Sequence, residues 1–333
     1  MKRVRFMRAL AIGHIHRSAR YRYKIPDNRL GIPESAFQNP MTLIPMSEIN
    51  SWFNQLENVT NNANIILDTS LDVDLSRIGP ISRWLLSGSD LASTIRRVNY
   101  GFSSLQSGAF LSASISGPLI KWTYQNPFVD PQCKVHDSVR IAVVLTKILR
   151  RYLGDDFTPL RIQLQGSRCD SAVYKHYFGC DIEWSHSMTQ VWFHADLRLA
   201  TRQQARAQVG PLAMNFLDLD ELLNMPDAED EIKVIYEILN YSRHYGLPTI
   251  GLVSNLLGLS IQQFQRRLRE LGMNFTTVSG YVLSNIAVEM MRHGLEVEDI
   301  CIRLGYQNLG SFIRMFKKQR GLTPNQYRQR YFV

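Results

Sequence analysis

The hydrophobic positions change period along the chain. Up to about residue 200, helical and strand patterns alternate. Met46-Ser47-Glu48-Ile49 through Leu56 carries apolar residues at helical spacing, and Ser89–Ser103 does so with Leu91, Ile95 and Val98 on one face. Short alternating runs follow at Phe110–Ile115, Leu119–Tyr124, Leu160–Leu164 and Gln190–Phe193, separated by Gly117-Pro118, Asn126-Pro127, Pro131 and Pro159. Between them Lys134–Leu153 reads as one long helix stopped by Gly154. This predicts an α+β domain with a small antiparallel sheet. Ala200–Glu231, with Gly210-Pro211 and the acidic run Met225-Pro226-Asp227-Ala228-Glu229-Asp230-Glu231, reads as a hinge.

From Asp230 the pattern is wholly helical. Ile232, Ile235, Ile238 and Leu239 mark one helix, ended near Gly246-Leu247-Pro248. Thr249 is placed to cap the next, with Ile250, Val253 and Leu256-Leu257 as its apolar side, and Gly258 follows at a turn. Ser260 then caps a helix whose apolar positions are Ile261, Phe264, Leu268 and Leu271. At 100° per residue, Gln262, Gln263, Arg266 and Arg269 fall opposite that stripe. Arg can grip guanine O6/N7 and Gln adenine N6/N7, so this face suits the major groove of DNA.

The design repeats 48 residues on. Val297, Ile300 and Leu304 lead to Gly305, and Phe312 and Phe316 form the apolar rail of a further helix. Gly258…Phe264-x-Arg266-x-Leu268 corresponds to Gly305…Phe312-x-Arg314-x-Phe316, with one extra turn residue in the second copy. Its outward face holds Gln307, Asn308, Ser311, Arg314 and Lys318. One amphipathic helix pair arises easily by chance; two copies in register do not. Thr276–His293, stopped by Gly294, joins them as a helix of about 27 Å, near the ~34 Å repeat of one DNA turn.

Charge follows this division. The net charge of +9 is unevenly placed: residues 1–30 hold nine Lys/Arg and one acid, residues 31–248 hold 18 and 23, and residues 249–333 hold 11 and five. A basic C-terminal block is the electrostatic footprint of polyanion binding. The first forty residues allow two readings: a disordered basic tail that adds non-specific DNA affinity, or a misassigned start with translation from Met41 or Met46. No stretch approaches the ~18 apolar residues of a membrane helix. Cys133, Cys169, Cys180 and Cys301 contain no CxxC pair and read as free thiols.

Catalytic and metal signatures are missing. There is no GxSxG and no GxxxxGK[ST]. Cys169, His176, Cys180 and His186 have no zinc spacing and fall where strand, turn and strand are expected, and His14-x-His16 has no third ligand nearby. No enzyme activity, metal or cofactor is therefore expected. The many aromatics of the middle segment, among them Trp84, Trp122, Trp184 and Trp192, are core candidates that could also enclose an apolar or amphipathic ligand.

Leu304-Gly305-Tyr306-Gln307-Asn308-Leu309-Gly310-Ser311-Phe312-Ile313-Arg314-Met315-Phe316, continued to Gly321-Leu322-Thr323-Pro324-Asn325-Gln326-Tyr327-Arg328, closely resembles the signature of AraC/XylS-type regulators. The resemblance covers about 232–331 and implies a seven-helix DNA-binding domain with Gly305, Phe312, Phe316, Gly321 and Pro324 as framework. It departs at Leu283, where the family often carries an Arg in the linker helix. Residues ~45–200 are similar to the arabinose-binding-like domain of one branch of that family, through Tyr174-Lys175-His176-Tyr177-Phe178-Gly179-Cys180-Asp181-Ile182 and Leu197. That implies a sensing domain, with no sugar specified.

The expected layout is thus an α+β sensing domain followed by an all-α domain with two helix-turn-helix motifs. Residues 1–40 form the basic tail, 41–224 the regulatory domain and 225–333 the DNA-binding domain, with helix-turn-helix units at about 249–271 and 296–320 around a linker helix at about 276–293. The candidate DNA-contacting residues are Ser260, Gln262, Gln263, Arg266, Arg269, Gln307, Asn308, Ser311, Arg314 and Lys318. Compatible partners are double-stranded promoter or operator DNA, a small-molecule effector, RNA polymerase and a second copy in a homodimer, in the cytoplasm at the nucleoid. A ligand-independent architectural DNA-binding protein is the alternative.

Overall fold

The alternation on two strands decides where the core of the first unit lies. In β4 (Leu119–Gln125) every second residue is buried, with Ile120, Trp122 and Tyr124 inward; in β7 (Thr189–His194) Thr189, Val191 and Phe193 take the same role. They sit in a five-stranded sheet of order β3-β4-β7-β5-β6, where β3 is Phe110–Ser116, β5 Arg161–Gln163 and β6 Ile182–Glu183. The two-residue turn Gly117-Pro118, with Gly117 at φ +58°, sets the β3–β4 register at Ser116↔Leu119. All pairs are antiparallel except β5–β6, which is parallel, so the sheet is mixed where a purely antiparallel one was expected.

The computed structural model describes residues 4–75, 79–201 and 216–332. The chain divides into two compact units, one from Arg5 to Met225 and the other from Pro226 onward. Part of the expected hinge, 202–215, lies outside the described residues. Helices of the first unit are α1 (Gly13–Tyr23), α2 (Met46–Thr60), α3 (Ile65–Ser70), α4 (Pro80–Leu85), α5 (Leu91–Gly101), α6 (Lys134–Leu153), α7 (Ala172–Phe178) and α8 (Phe216–Leu223). The inner sheet face is covered by Leu91, Ile95 and Val98 of α5 and by Ile141, Leu145, Ile148 and Leu149 of α6, all buried in one cluster with Trp122 and Phe193. Each large side chain withdrawn from water there contributes roughly 2–3 kcal/mol.

Residues 5–40 are a structural part of this unit, contrary to the disordered-tail reading. β1 (Phe6–Arg8) pairs antiparallel with β2 (Leu43–Pro45) through Phe6↔Pro45, Met7↔Ile44 and Arg8↔Leu43. Phe6, Met7, Ile12 and Ile15 are fully buried. A chain started at Met41 or Met46 would lack β1 and α1. Arg8 is the least expected core residue. Its Nε donates to the Ser104 carbonyl (2.7 Å), Nη1 to that of Met41 (2.9 Å), and Nη2 to those of Glu221 (2.6 Å) and Leu222 (3.1 Å) at the end of α8. A cation at a helix C-terminus also opposes the helix dipole favourably.

A second buried guanidinium closes a ring of hydrogen bonds. Arg140 Nη2 donates to Asp137 Oδ1 (2.6 Å) and to Gln106 Oε1 (2.9 Å); Gln106 Nε2 donates to Tyr124 Oη (2.9 Å), which donates to Asp137 Oδ2 (2.5 Å). Burial, then the Asp137 charge, raises the Tyr124 phenol well above its usual range, which keeps it a donor.

Neither soft-ligand candidate of the sequence assembles into a metal site. His16 Nδ1 accepts from Trp52 Nε1 (3.2 Å), its Nε2 lies 3.0 Å from Glu34 Oε2, and its ring stacks on Phe37. The expected strand–turn–strand around Cys169, His176, Cys180 and His186 is instead loop, α7, a left-handed Gly179 (φ +80°) and β6. Helical spacing there was masked by the shortness of the segment. Cys169 is exposed and His186 lies 3.3 Å from Glu183.

Two outcomes are expected. Arg8→Ala leaves four carbonyls without their donors and should cost about 3 kcal/mol in urea unfolding, while deletion of residues 1–40 should abolish cooperative unfolding of the first unit. Unchanged unfolding of the deletion would restore the tail reading. Burial lowers the pKa of His14 and His136 to about 3 and of His16 to about 4. The unfolded chain therefore binds more protons than the folded one between about pH 6.5 and 4, and stability of this unit should fall as pH drops through that window, read by thermal melts in a pH series.

Candidate nucleic-acid interface

The second unit consists of α9 (Glu231–Ser242), α10 (Ile250–Leu256), α11 (Ile261–Glu270), α12 (Phe275–Arg292), α13 (Val297–Arg303), α14 (Leu309–Arg320) and α15 (Pro324–Tyr331). Caps fix nearly every start. Thr249 Oγ1 accepts from the Leu252 N–H (3.2 Å) at α10. At α11, Ser260 Oγ accepts from the Gln263 N–H (3.2 Å) and Gln263 Oε1 accepts from the Ser260 N–H (2.9 Å), a reciprocal capping box. Asn308 Oδ1 accepts from the Ser311 N–H (2.9 Å) at α14.

α10 and α11 form the first helix-turn-helix, turned at Gly258 (φ +67°). Phe264 and Leu268 of α11 are buried, and Gln262, Arg266 and Arg269 lie exposed on the opposite face. Arg266 has only a long, solvent-exposed pairing with Glu270 (3.7 Å), which holds it weakly. Arg267 differs: it donates to Glu231 of α9 and to Glu270 (3.4 Å), so it ties α11 to its scaffold. α13 and α14 form the second, with Phe312 and Phe316 buried and Phe316 edge-on to Tyr327 of α15 (5.5 Å). Gln307, Arg314 and Lys318 are exposed.

The ten candidate residues therefore divide. Gln262, Arg266, Arg269, Gln307, Arg314 and Lys318 present exposed side chains, Arg269 and Arg314 with one contact each inside their own helix. Ser260, Gln263 and Asn308 each spend their side-chain oxygen on a cap, while the Gln263 and Asn308 side-chain amides keep their N–H donors, and Ser311 accepts from Arg314 Nη2 (3.0 Å). Gln265 and Lys317 are exposed near the two candidate faces and were not among the candidates. By helical periodicity Gln265 lies 40° from Arg269 and Lys317 60° from Arg314, so the same projection could have found them.

α12 joins the two. Asn274 caps it, and Val278, Val282, Leu283, Ile286, Ala287 and Met291 are buried as it packs on α9 and α14. Leu283, at the position where the family often has Arg, is part of this core. Polar anchoring comes instead from α14: Arg320 Nε donates to the buried Ser284 Oγ (3.2 Å), and Nη2 to Asn285 Oδ1. The two turn glycines differ in what they require. At Gly258 a Cβ would meet nothing within 4 Å, so only the positive φ asks for glycine. At Gly305 (φ +82°) a Cβ would stand 2.3 Å from the Gly246 carbonyl carbon and the Leu247 nitrogen, so the backbone there leaves no room.

Two capped helix-turn-helix units with polar, basic outer faces define a DNA-binding protein of the regulator class. The chain belongs to the family defined by the arabinose-binding domain of the AraC transcription regulator, whose profile matches residues 28–200, and a helix-turn-helix domain profile matches residues 253–330. It is similar to the uncharacterised HTH-type transcriptional regulator Rv1395 of Mycobacterium tuberculosis, 34% identical over 84 residues, which are 25% of this chain and 24% of that one. It is also similar to the HTH-type transcriptional regulator GadX of Escherichia coli O157:H7, 24% identical over 174 residues, 51% of this chain and 63% of that one. These matches thus span a quarter to under two thirds of the relatives' lengths. The crystal structure of the transcriptional regulator CdpR from Pseudomonas aeruginosa aligns over 96% of this chain and 98% of that one, with 16% identity and a TM-score of 0.42.

Gly258→Ala should cost only the left-handed penalty, about 1–2 kcal/mol, whereas Gly305→Ala should cost distinctly more because the backbones must part. Urea unfolding of the two variants side by side reads the difference; equal losses would refute the close approach.

Proposed function

We propose that this protein is a sequence-specific transcription regulator that reads promoter or operator DNA with α11 and α14 and is modulated by a small molecule held in its N-terminal unit. The observation that carries this reading is the matched pair of open faces, Gln262/Arg266/Arg269 and Gln307/Arg314/Lys318, at the two ends of an 18-residue helix. A helix of that length spans about 27 Å, which supports entry of both heads into successive major grooves on one side of the duplex. Exposed Arg and Gln supply bidentate donors for guanine and adenine edges, and Lys317 and Lys318 supply point charges for phosphates.

Membership in a family of transcription regulators supports regulation over catalysis as the task of the chain. Among the described residues no helix is long and apolar enough to cross a membrane, and the reading places the protein in the cytoplasm at the nucleoid. RNA polymerase and a second copy of the chain are its protein partners in this reading.

The test is a binding comparison. A cognate site selected from random-sequence DNA and a scrambled control are titrated with wild type, Arg266→Ala, Arg314→Ala and Lys318→Ala by fluorescence anisotropy. Each Arg variant should lose roughly 1–3 kcal/mol on the cognate site and little on the control. An equal loss on both would reassign that Arg to the backbone, and no selectable site at all would overturn the reading.

A further inference from the structure

The N-terminal unit contains a cluster that neither the fold nor the DNA interface uses. α2 presents Asn54, Glu57 and Asn58 at spacings of three and four, which place them on one helix face. Gln132 sits in the short turn Pro131–Cys133 ahead of α6, His136 in the first turn of α6, and Arg168 in the loop between β5 and α7. The six side chains line a recess of about 410 Å³, a volume suited to a small organic molecule.

The recess is bipolar. Arg168 Nη2 donates to Glu57 Oε2 (2.9 Å) and lies 3.1 Å from His136 Nδ1. A guanidinium only donates, so Nδ1 is the acceptor and the ring proton sits on Nε2, 3.0 Å from the same Glu57 oxygen. Burial and then the Arg168 charge lower the His136 pKa to about 3, and the ring is neutral. Both contacts thus fall on one oxygen of the Glu57 carboxylate; among the described residues its Oε1 is uncommitted. Arg168 Nε is buried with no hydrogen-bond partner, a state that costs free energy. Phe53 lies parallel to the His136 ring (5.4 Å).

We propose that this recess binds a small zwitterion of the α-amino-acid type. Its carboxylate is received by Arg168, its ammonium by Glu57, and its side chain by the amides of Asn54, Asn58 and Gln132. A simple anion would meet the Glu57 charge, a simple cation would meet Arg168, and an apolar molecule would strand the polar lining. The proposal rests on the regulator reading and gives its effector a class and a place.

The experiment uses the full chain. Thermal shift and calorimetric titration are run with each standard L-amino acid, then with the deaminated acid and the decarboxylated amine of any that binds. At least one amino acid should raise Tm, and neither fragment of it should. Glu57→Gln and Arg168→Gln should each weaken Kd about tenfold or more, as expected for loss of a charge-assisted contact. Asn58→Trp, at the exposed rim and outside the Glu57–Arg168 pair, should fill the recess and abolish binding with unliganded Tm unchanged; it carries the test if a charge variant does not fold. No amino acid raising Tm, or binding indifferent to these variants, overturns the site. DNA binding by the same preparations separates the two readings: retained DNA binding with no amino-acid binding sinks this site alone, and absent DNA binding sinks the regulator.

Discussion

A guanidinium cut off from water must find an oxygen for its N–H groups, and the first unit is built around two that do. Arg8 collects carbonyls from Met41, Ser104, Glu221 and Leu222, and Arg140 binds Asp137 and Gln106. Segments more than 200 residues apart in sequence meet at Arg8. The apolar core of α5, α6 and the sheet supplies most of the stabilisation by area, but it does not specify which strand end or helix terminus comes where. The two buried cations do, because a misplaced chain would leave charge unsolvated at a cost of several kcal/mol.

The second unit is organised by the opposite principle. Its elements are local: each helix starts at its own Ser, Thr, Asn or Asp cap or ends at its own glycine, and the phenylalanine rails at Phe264 and at Phe312/Phe316 need only neighbouring helices to bury them. One consequence is a division of labour among polar residues that look alike in sequence. Gln262 and Gln263 are neighbours, yet Gln263 closes a capping box and Gln262 stays open; Arg266 and Arg267 are neighbours, yet Arg267 holds α9.

That contrast explains how much of the fold could be read from the residues. The strands with clean alternation, the long helix stopped at Gly154 and the doubled Gly–Phe–Arg pattern all lie where a period of two or 3.6 repeats within a dozen residues. What escaped was non-local or too short to show a period. The basic N-terminal segment looked like a tail because composition reports Arg and Lys without their partners, and the partners of Arg8 are backbone carbonyls far along the chain. α7 is seven residues, under two turns, which periodicity cannot separate from a strand. Of the ten candidate residues, the helices that carry them and their outward faces were legible; which polar atoms the caps consume was not, since that depends on rotamers. The recess of Glu57, His136 and Arg168 had no signature, being assembled from residues 111 positions apart.

The close approach at Gly305 has a meaning for the target as well as for the fold. The turn of the second head touches the backbone just ahead of the first, at Gly246 and Leu247. Two heads that meet through main chain have little freedom to swivel, so on the proposed reading the protein would measure phase as well as sequence. Inserting one base pair between two half-sites turns one of them by about 34° around the duplex axis. A reader with a loose tether would follow; this one would keep its own pitch, and the DNA would have to twist to meet it.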